Sequence, residues 1–189
     1  SLAWQWSRSS DLVTVLSLSV GLAVARVLSQ WAGPGLQLKW PNDIMFSEGK
    51  LAGILVDVIP PGDGPLRVVV GIGVNICNSL DLEQVVDQRV INLQDIAIRS
   101  ISRTQLTGEL ILAMALALDR FEKSGFAPDQ VAWNQCDRFR GRTVLASIGG
   151  QVFEGAGYGV DSEGCYRIID TSGNEQAVST GEVKLSANP

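Results

Sequence analysis

Residues 39–50 gather two lysines, an amide and a carboxylate within twelve positions. The four residues are Lys39, Asn42, Asp43 and Lys50. Polar groups gathered at the ends of apolar strands usually face a ligand. A lysine held near backbone NH groups can stabilise phosphate charge, and a nearby aspartate can hold Mg²⁺. The alternative is a pair of ordinary turns, since Asn-Asp after a proline and Ser-Glu-Gly-Lys are both common turn sequences.

Three sequence blocks resemble the signature of the biotin protein ligase family. They read Lys-Trp-Pro-Asn-Asp at 39–43, Gly-Lys-Leu-Ala-Gly-Ile-Leu-Val at 49–56 and Gly-Ile-Gly-Val-Asn at 71–75. Three blocks in the same order are more specific than any one of them alone. The resemblance covers nearly the whole chain, but after residue 142 it lies only in the order of the elements.

The resemblance implies an activity. Biotin protein ligases activate biotin with ATP and Mg²⁺ to biotinyl-5′-AMP, release pyrophosphate and pass the biotinyl group to a lysine of a biotin carboxyl carrier domain of a carboxylase. ATP, Mg²⁺ and biotin are therefore the expected ligands, and that carrier domain is the expected partner. The alternative is a non-catalytic remnant or regulatory fragment that keeps the fold and binds nucleotide or biotin. The first block disfavours a lipoate-type ligase.

By the same resemblance, Lys50 is the lysine that contacts both the biotin carboxyl and the α-phosphate. Asp43 is the carboxylate linked to Mg²⁺ and nucleotide, or to deprotonation of the incoming lysine. Asn42 binds phosphate or ribose, or only caps the turn, and Lys39 points either to phosphate or to solvent. The residues assigned to substrate or nucleotide binding are Lys39, Trp40, Asn42, Gly53, Gly71, Gly73 and Asn75.

Several of these assignments have a structural alternative. Trp40 could stack on the nucleotide, but a tryptophan inside a strand more often belongs to the core. Gly53 lacks a Cβ, so a ligand can lie against its strand. Gly71 and Gly73 alternate along a strand and would leave a flat floor for a bicyclic ring, or else allow close helix packing. Asn75 is expected at the rim, near adenine or phosphate.

The composition is that of a folded chain from a reducing compartment. Its 189 residues are 46% apolar, enough for one domain plus a small one. A net charge of −5 argues against nucleic-acid binding. The lack of histidine removes the commonest general base and zinc ligand. Three separated cysteines without a signal peptide indicate free thiols in the cytoplasm.

Hydropathy patterns predict the elements that must position these residues. Strands are expected at 1–7, 36–40, 44–46, 51–58 and 67–74, the last buried on both faces because of its run of valines. Helices are expected at 12–31, with Asp11 as N-cap, at 104–123, and from 128 to about 135. The first helix is apolar but too interrupted by polar residues for a membrane span of roughly twenty apolar residues, so it is expected to be buried.

The sequence also predicts two connecting regions and a group of C-terminal strands. Residues 60–65 form a reversal, and 75–92 form a long loop of the kind that closes over ligands, with helical turns near 81–86. Short strands at 144–148, 151–160, 165–169, 176–179 and 183–185 alternate with glycine turns, including one at 149–150, and predict a small antiparallel barrel. The arginines at 138, 140 and 142 are expected to be a solvated strand edge.

The overall prediction is an α/β (α+β) fold in two parts. Residues 1–139 form a mixed sheet flanked by helices, which resembles part of the class II synthetase-like catalytic domain of biotin ligases, and residues 140–189 form an SH3-like barrel. The Gly-Ile-Gly block is not a dinucleotide fingerprint, because no helix follows it closely. Relatives dimerise through the sheet, so a homodimer is a further expectation.

This chain departs from the family at two places. The family's glycine- and arginine-rich biotin loop would lie upstream of the strand at 1–7, so the sequence is expected to begin within the catalytic domain and to bind biotin poorly by itself. Val90 stands where many members have a tryptophan over adenine, so less of the adenine would be covered. An N-terminal winged-helix domain is not part of the sequence, so DNA binding is not predicted.

Overall fold

The computed structural model describes residues 1–7, 13–60, 65–77, 89–148 and 151–186. In chain order the elements of these ranges are β1 (Leu2–Gln5), α1 (Val13–Ala32), β2 (Leu36–Lys39), β3 (Asp43–Phe46), β4 (Gly49–Ile59), β5 (Arg67–Val74), α2 (Leu93–Ile96), α3 (Arg103–Ser124), α4 (Ala127–Gln135), β6 (Thr143–Ile148), β7 (Gln151–Val160), β8 (Tyr166–Ile169), β9 (Glu175–Val178) and β10 (Glu182–Leu185). The predicted cap at Asp11, most of the reversal at 60–65, the helical turns at 81–86 and the turn at 149–150 lie outside the described residues.

The first sheet has five strands in the order β1-β5-β4-β3-β2. Each neighbouring pair is antiparallel. The prediction of a mixed sheet is therefore wrong for the described strands. The physical reason is that β2 to β5 follow one another through connections of a few residues, and strands joined so closely pair antiparallel, whereas a parallel pair needs a long crossover.

Helix α1 covers one face of this sheet, with α3 packed beside it. A Cβ added at Gly21 would lie 3.7 Å from Ile54 Cδ1 and 3.8 Å from Leu38 Cδ2, so α1 rests directly on β2 and β4. The two helices are also linked by a hydrogen bond, because Trp31 Nε1 donates to Glu109 Oε2 at 2.7 Å. The apolar side chains of α1 therefore form the centre of the core.

By length and composition alone, α1 could cross a membrane. In the fold, however, 67% of the segment Val15–Ala32 is buried among other parts of the protein. The prediction of a buried core helix is confirmed, because the side chains that make the helix apolar are the ones that pack on the sheet.

Helix α3 is the amphipathic helix predicted for 104–123. It begins where the Ser102 hydroxyl accepts a hydrogen bond from Gln105 N, and it ends at Gly125, whose φ of 67° lies in the region that favours glycine. Its buried residues recur at helical spacing and are Leu106, Leu110, Met114, Ala117, Leu118 and Phe121.

The second sheet has five antiparallel strands in the order β10-β6-β7-β8-β9. Its strands agree with the predicted ones to within one residue at each end. The second sheet is joined to the first, since the indole NH of Trp40, just after β2, donates to Gly164 O at 3.0 Å, and it also packs on the helical layer. A Cβ at Gly164 would lie 2.7 Å from Val15 Cγ1 of α1. The buried apolar residues of both sheets therefore form one continuous core.

Two predictions about exposure are wrong. In β5, Val68 and Val70 are buried, but Val69 between them is only half-buried, because the face of the sheet turned away from α1 is partly open. The side chain of Arg138 is only 5% exposed, although its neighbours Arg140 and Arg142 are exposed as expected.

Candidate active site

Four of the predicted site residues lie in one row across the first sheet. Lys39 on β2 pairs with Asp43 on β3, Asp43 pairs with Gly53 on β4, and Gly53 pairs with Gly73 on β5. Directly paired residues of neighbouring strands point to the same face. Because Ile54, next to Gly53, faces α1, the row lies on the opposite face, which we call the open face.

A β-bulge brings Lys50 to the open face. Ile44 pairs with Ala52, but the next pair toward the turn joins Met45 to Lys50, so Leu51 is an extra residue on β4. In regular alternation Lys50 would point toward α1, since it lies three positions before the row residue of its strand. The extra residue reverses the alternation and turns the lysine to the other side.

The short turn between β3 and β4 accounts for the bulge. Phe46 pairs with Gly49, so Ser47 and Glu48 form a two-residue loop. If the inner register continued to the turn, Ser47 would pair with Gly49 and leave Glu48 alone. A single residue is shorter than the tightest common hairpin loops, which have two. Without a bulge the hairpin would have to close at Phe46 and Lys50 with a three-residue loop at 47–49, so the two-residue loop seen here goes together with one unpaired residue in β4.

Lys50 and Asp43 form an ion pair in the middle of the open face. Lys50 Nζ lies 2.5 Å from Asp43 Oδ1, and the two side chains are 32% and 11% exposed. Gly53 provides the space, because a Cβ there would lie 3.1 Å from Lys50 Nζ and 3.5 Å from Asp43 Oδ1. The ammonium thus lies over a strand position without a side chain, where it remains accessible to a ligand.

The backbone of Lys50 is fixed by a crossing segment and by Asn75. Lys50 N donates to Arg89 O at 2.8 Å, and Lys50 O accepts from Ile91 N at 3.1 Å. The Asn75 side chain donates to the same oxygen at 2.9 Å. Gly49 lets the segment approach, since a Cβ there would lie 3.1 Å from Ile91 Cβ. The site therefore has a fixed backbone beneath a partly exposed side chain.

The two asparagines of the predicted site both hold backbone groups. Asn42 Nδ2 donates to Ile54 O at 2.8 Å, and Ile54 N donates back to Asn42 O at 2.9 Å. Asn75 holds the carbonyl of Lys50, as described above. Both are half-buried at the edge of the open face, and their roles in ligand binding stay predictions.

The structure does not place Trp40 on the open face. Its side chain is 2% exposed, and its ring centroid lies 6.2 Å from that of Tyr166 in the second sheet. Its indole NH is used by the carbonyl of Gly164. The nucleotide-stacking interpretation is therefore corrected to the core alternative, in which Trp40 joins the two sheets.

Gly71 and Gly73 leave the last part of β5 without side chains on the open face. A Cβ at Gly73 would meet no atom within 4 Å, and Gly71 pairs with Leu55, which is 62% exposed. Close helix packing is not the reason for these glycines, because α1 lies on the other face. The floor is shallow, and the cavities of about 210 and 540 Å³ beside α3 contain none of the predicted site residues.

The sequence interpretation missed the contribution of residues 136–138. Leu38 N donates to Cys136 O at 2.8 Å, and Arg138 N donates to Leu38 O at 2.9 Å, so this junction segment lies parallel to β2. The Arg138 guanidinium contacts Glu48 in the turn before Lys50. No local signal could have found it, because Arg138 stands in a run of alternate arginines that is typical of a solvated strand.

Asp137 is a buried carboxyl group with a strongly raised pKa. Burial raises its pKa from the usual 3.8 to about 6, although Phe139 N and the Tyr166 hydroxyl both donate hydrogen bonds to it. Burial and the nearby Asp137 charge raise the pKa of Tyr166 as well. These groups link the junction to the second sheet and do not face the ion pair.

The arrangement on the open face is suited to stabilising negative charge on a bound ligand. One partly exposed ammonium, from Lys50, is held beside a carboxylate, and Lys39 stands at the end of the same row. A cation held in advance by its surroundings is effective where charge develops during a reaction. Within the described ranges, no group of three or more His, Cys, Asp and Glu side chains is placed to hold a metal ion.

The sequence of this chain is similar to those of known protein ligases. A family model described as the biotin/lipoate A/B protein ligase family matches residues 1–75. The chain is 32% identical to the bifunctional ligase/repressor BirA of Escherichia coli (strain K12) over 185 residues, which are 98% of this chain and 57% of BirA. It therefore spans little more than half of that relative. It is 30% identical to the biotin–[acetyl-CoA-carboxylase] ligase of Paracoccus denitrificans over 172 residues, 89% of this chain and 71% of that protein.

The fold is also shared with a solved structure. The biotin protein ligase from Aquifex aeolicus, in complex with biotin and ATP, superimposes with a TM-score of 0.76 and 24% sequence identity, covering 92% of this chain and 72% of that one. The two sheets and the helical layer described above therefore follow a known arrangement, although the sequences differ at most positions.

Proposed function

Because this chain belongs to the biotin/lipoate A/B protein ligase family, we propose that it acts as a biotin–protein ligase. In this proposal it activates biotin with ATP to biotinyl-5′-AMP and then transfers the biotinyl group to a lysine of a carboxylase's biotin carboxyl carrier domain. Support comes from the relative named as an acetyl-CoA-carboxylase ligase and from the Aquifex aeolicus ligase that holds biotin and ATP.

The position of the Lys50 ammonium over Gly53 is the observation that supports this function best. Joining a carboxylate to an α-phosphate brings two anions together and builds negative charge around the phosphorus. A fixed cation lowers the cost of both. In the proposal Lys50 contacts the biotin carboxylate and the α-phosphate, and Lys39 adds positive charge at the end of the row.

Asp43 has three roles in the proposal. It holds the Lys50 ammonium through the ion pair, and in the second step it accepts the proton that the carrier lysine loses as the amide forms and AMP leaves. It would also hold Mg²⁺, which would supply positive charge to the phosphates of ATP. One carboxylate is enough for this, because Mg²⁺ at nucleotide sites is held mainly by phosphate oxygens and water.

The remaining open-face residues would form the binding surface. Gly53, Gly71 and Gly73 leave a floor without side chains on which the biotin rings and the adenylate can lie. Asn42 and Asn75 stand at its edge with their amide NH groups already bonded to backbone carbonyls. Each amide keeps a second NH and its oxygen, and these are the atoms expected to meet the ligand.

In the same proposal the chain has two domains. Residues 1–139 are the catalytic part, and residues 140–189 are an SH3-like barrel, which the order of five short antiparallel strands supports. The protein is proposed to act in the cytoplasm and to form a homodimer through the first sheet.

The test is a biotinylation assay. The chain is incubated with ATP, Mg²⁺, biotin and an apo carboxyl carrier domain, and mass spectrometry detects biotin on the acceptor lysine. Lys50→Ala is expected to lower the rate by about 100-fold or more, because it removes a preorganised charge from the reacting centre. Lys184→Ala is the matched control, since this lysine of β10 is 61% exposed and should leave the rate unchanged.

Two results would count against the proposal. Equal rates for the native chain and Lys50→Ala would contradict the role of the lysine. Binding of ATP or biotin without labelling of the acceptor by the native chain would support the alternative, a non-catalytic binding fragment of the same fold.

A further inference from the structure

We propose that Arg138 is a positioning residue for Lys50, an inference that rests on the role proposed above for that lysine. Arg138 does not touch the ion pair. It holds the turn at 46–49, and this turn fixes the register that directs the Lys50 side chain to the open face.

The surroundings of Arg138 are unusual for a charged side chain. It is only 5% exposed, and its two terminal nitrogens donate three hydrogen bonds. Nη1 donates to Gln37 Oε1 at 3.0 Å and to the carbonyl of Ser47, and Nη2 donates to Glu48 Oε2 at 2.5 Å. Burying a charge is costly unless it is paired and hydrogen-bonded, and two of these three acceptors belong to one two-residue loop.

The turn needs such support because its backbone conformation is not a favoured one. Ser47 has a φ of 50°, in the left-handed region that favours glycine. The hydrogen bond to its carbonyl and the ion pair with Glu48 both oppose relaxation of the loop. The conformation of a hairpin loop sets the register of its strands. Arg138 therefore acts on the pairing of β3 with β4.

The register on the turn side of the bulge decides where Lys50 points. Met45 pairs with Lys50 and Phe46 with Gly49 only while the two-residue loop is kept. A shift of one residue turns a side chain to the other face of a sheet. Loosening the loop would allow the extra residue to move along β4, and Lys50 would then leave Asp43. Its ammonium would be turned to solvent, because a charged group is not stable against the apolar side of the sheet that faces α1.

Other contacts hold both ends of this arrangement in place, so a change at the guanidinium should not unfold the protein. The junction segment is attached to β2 by backbone hydrogen bonds and to the second sheet by the bond from the Tyr166 hydroxyl to Asp137. On the other side of the bulge, β4 keeps its pairing with β5 from Ala52 to Ile59. The guanidinium adds the restraint on the turn itself.

The experiment compares Arg138→Gln and Arg138→Lys with Arg142→Gln, a control at an exposed arginine of the same segment. The first measurement is the kcat and KM of biotinyl-5′-AMP formation. The second is acetylation of each lysine by a limiting amount of an N-hydroxysuccinimide ester, mapped by mass spectrometry. Lys184, 61% exposed, serves as the internal standard for the reactivity of Lys50.

Arg138→Gln is expected to lower kcat about tenfold with little change in the KM for ATP, because a misplaced catalytic group mainly affects the chemical step. Acetylation of Lys50 relative to Lys184 should rise about threefold, as expected when a weak, partly exposed ion pair is lost. Arg138→Lys should restore part of both values, and Arg142→Gln should match the native chain.

The acetylation measurement separates this inference from the proposed function. If the native chain makes no biotinyl-5′-AMP, the proposed function fails, yet greater reactivity of Lys50 in Arg138→Gln would still support positioning. Unchanged reactivity of Lys50 in folded Arg138→Gln would overturn it. If that variant does not fold, Glu48→Gln decides in its place, because Glu48 is 63% exposed: a smaller rise in Lys50 reactivity supports the inference, and no rise overturns it.

Discussion

The chemistry of the open face depends on Gly53 as much as on Lys50. Gly53 and Gly73 are directly paired and lie in the same row, but their surroundings differ. A Cβ at Gly53 would enter the space used by the Lys50 ammonium, while a Cβ at Gly73 would meet no atom within 4 Å. At the residue scale the ion pair therefore requires glycine at position 53 and does not require it at position 73.

Gly53→Ala is expected to displace Lys50 without unfolding the protein. The new methyl group would lie 3.1 Å from Nζ, the mobile end of a long side chain, and alanine costs less conformational entropy than glycine. The free energy of unfolding should change by less than about 1 kcal/mol, while lysine acetylation should show a more reactive Lys50. Gly73→Ala is the matched control for this readout, and equal Lys50 reactivity in both variants would contradict the prediction.

At the scale of elements, strand β4 carries the site because two features act on it together. The two-residue turn is accompanied by a bulge at Leu51, and the crossing segment at 89–91 fixes the Lys50 backbone. Val90, which stands where relatives were expected to have a tryptophan, forms an isolated parallel bridge with Lys50. The last residues of the ligand-closing loop predicted for 75–92 therefore pair with the sheet at this point.

Gly49→Ala tests this close approach. Its Cβ would lie 3.1 Å from Ile91 Cβ and 3.3 Å from Ile91 N, so the backbone of the crossing segment must move. The expected loss of stability is about 1–3 kcal/mol, the range typical of overpacking. Urea denaturation followed by tryptophan fluorescence measures it.

The control variant, Gly108→Ala, is expected to be more stable than the native chain. Gly108 lies inside α3, and a Cβ there would meet no atom within 4 Å, so Gly108→Ala should stabilise the protein by about 0.5–1 kcal/mol. If Gly49→Ala is as stable as the native chain, the crossing segment does not depend on the missing side chain.

For the whole molecule, the junction between the sheets is the decisive region. Asp137 and Arg138 are adjacent, yet the first bonds Tyr166 of the second sheet and the second bonds the turn of the first sheet. Trp40 joins the same two layers through Gly164. The relative placement of the sheets and the geometry of the site therefore depend on a few buried polar contacts.

The pH dependence of stability reports on this junction. The pKa of Asp137 is raised on folding, from 3.8 to about 6, so the folded chain binds this proton more tightly than the unfolded chain. The protonated Asp137 carboxyl therefore contributes to the free energy of unfolding. This contribution is fully present below about pH 3.8 and is lost as the pH rises through about 6. The loss amounts to roughly 3 kcal/mol.

Asp137→Asn should remove this component. Between pH 4 and 6.5, as approximate limits set by that pKa, the free energy of unfolding of the native chain should fall by roughly 3 kcal/mol relative to that of the variant. Urea denaturation at a series of pH values measures the difference. Asp57→Asn, at an exposed aspartate, should give a curve parallel to the native one, and a parallel curve for Asp137→Asn would refute the prediction.

The elements and the composition of the site could be read from the sequence, because they are encoded locally. The spacing of Leu106, Leu110 and Met114 specifies α3, and Ser102 and Gly125 mark its ends. The charged and glycine residues of the site lie within three short blocks, and these blocks carry the family resemblance that the comparisons bear out.

Only the tertiary structure decided which of these residues share a surface. The face of the sheet to which Lys50 points depends on the pairing of β4 with β3 and on the bulge at Leu51, since strict alternation would have turned the side chain toward α1. Trp40 finds its partner 124 positions away, and Arg138 finds the Ser47 carbonyl 91 positions away. Contacts between such distant positions leave no pattern in the residues around either partner, because burial and pairing there are set by how the layers pack.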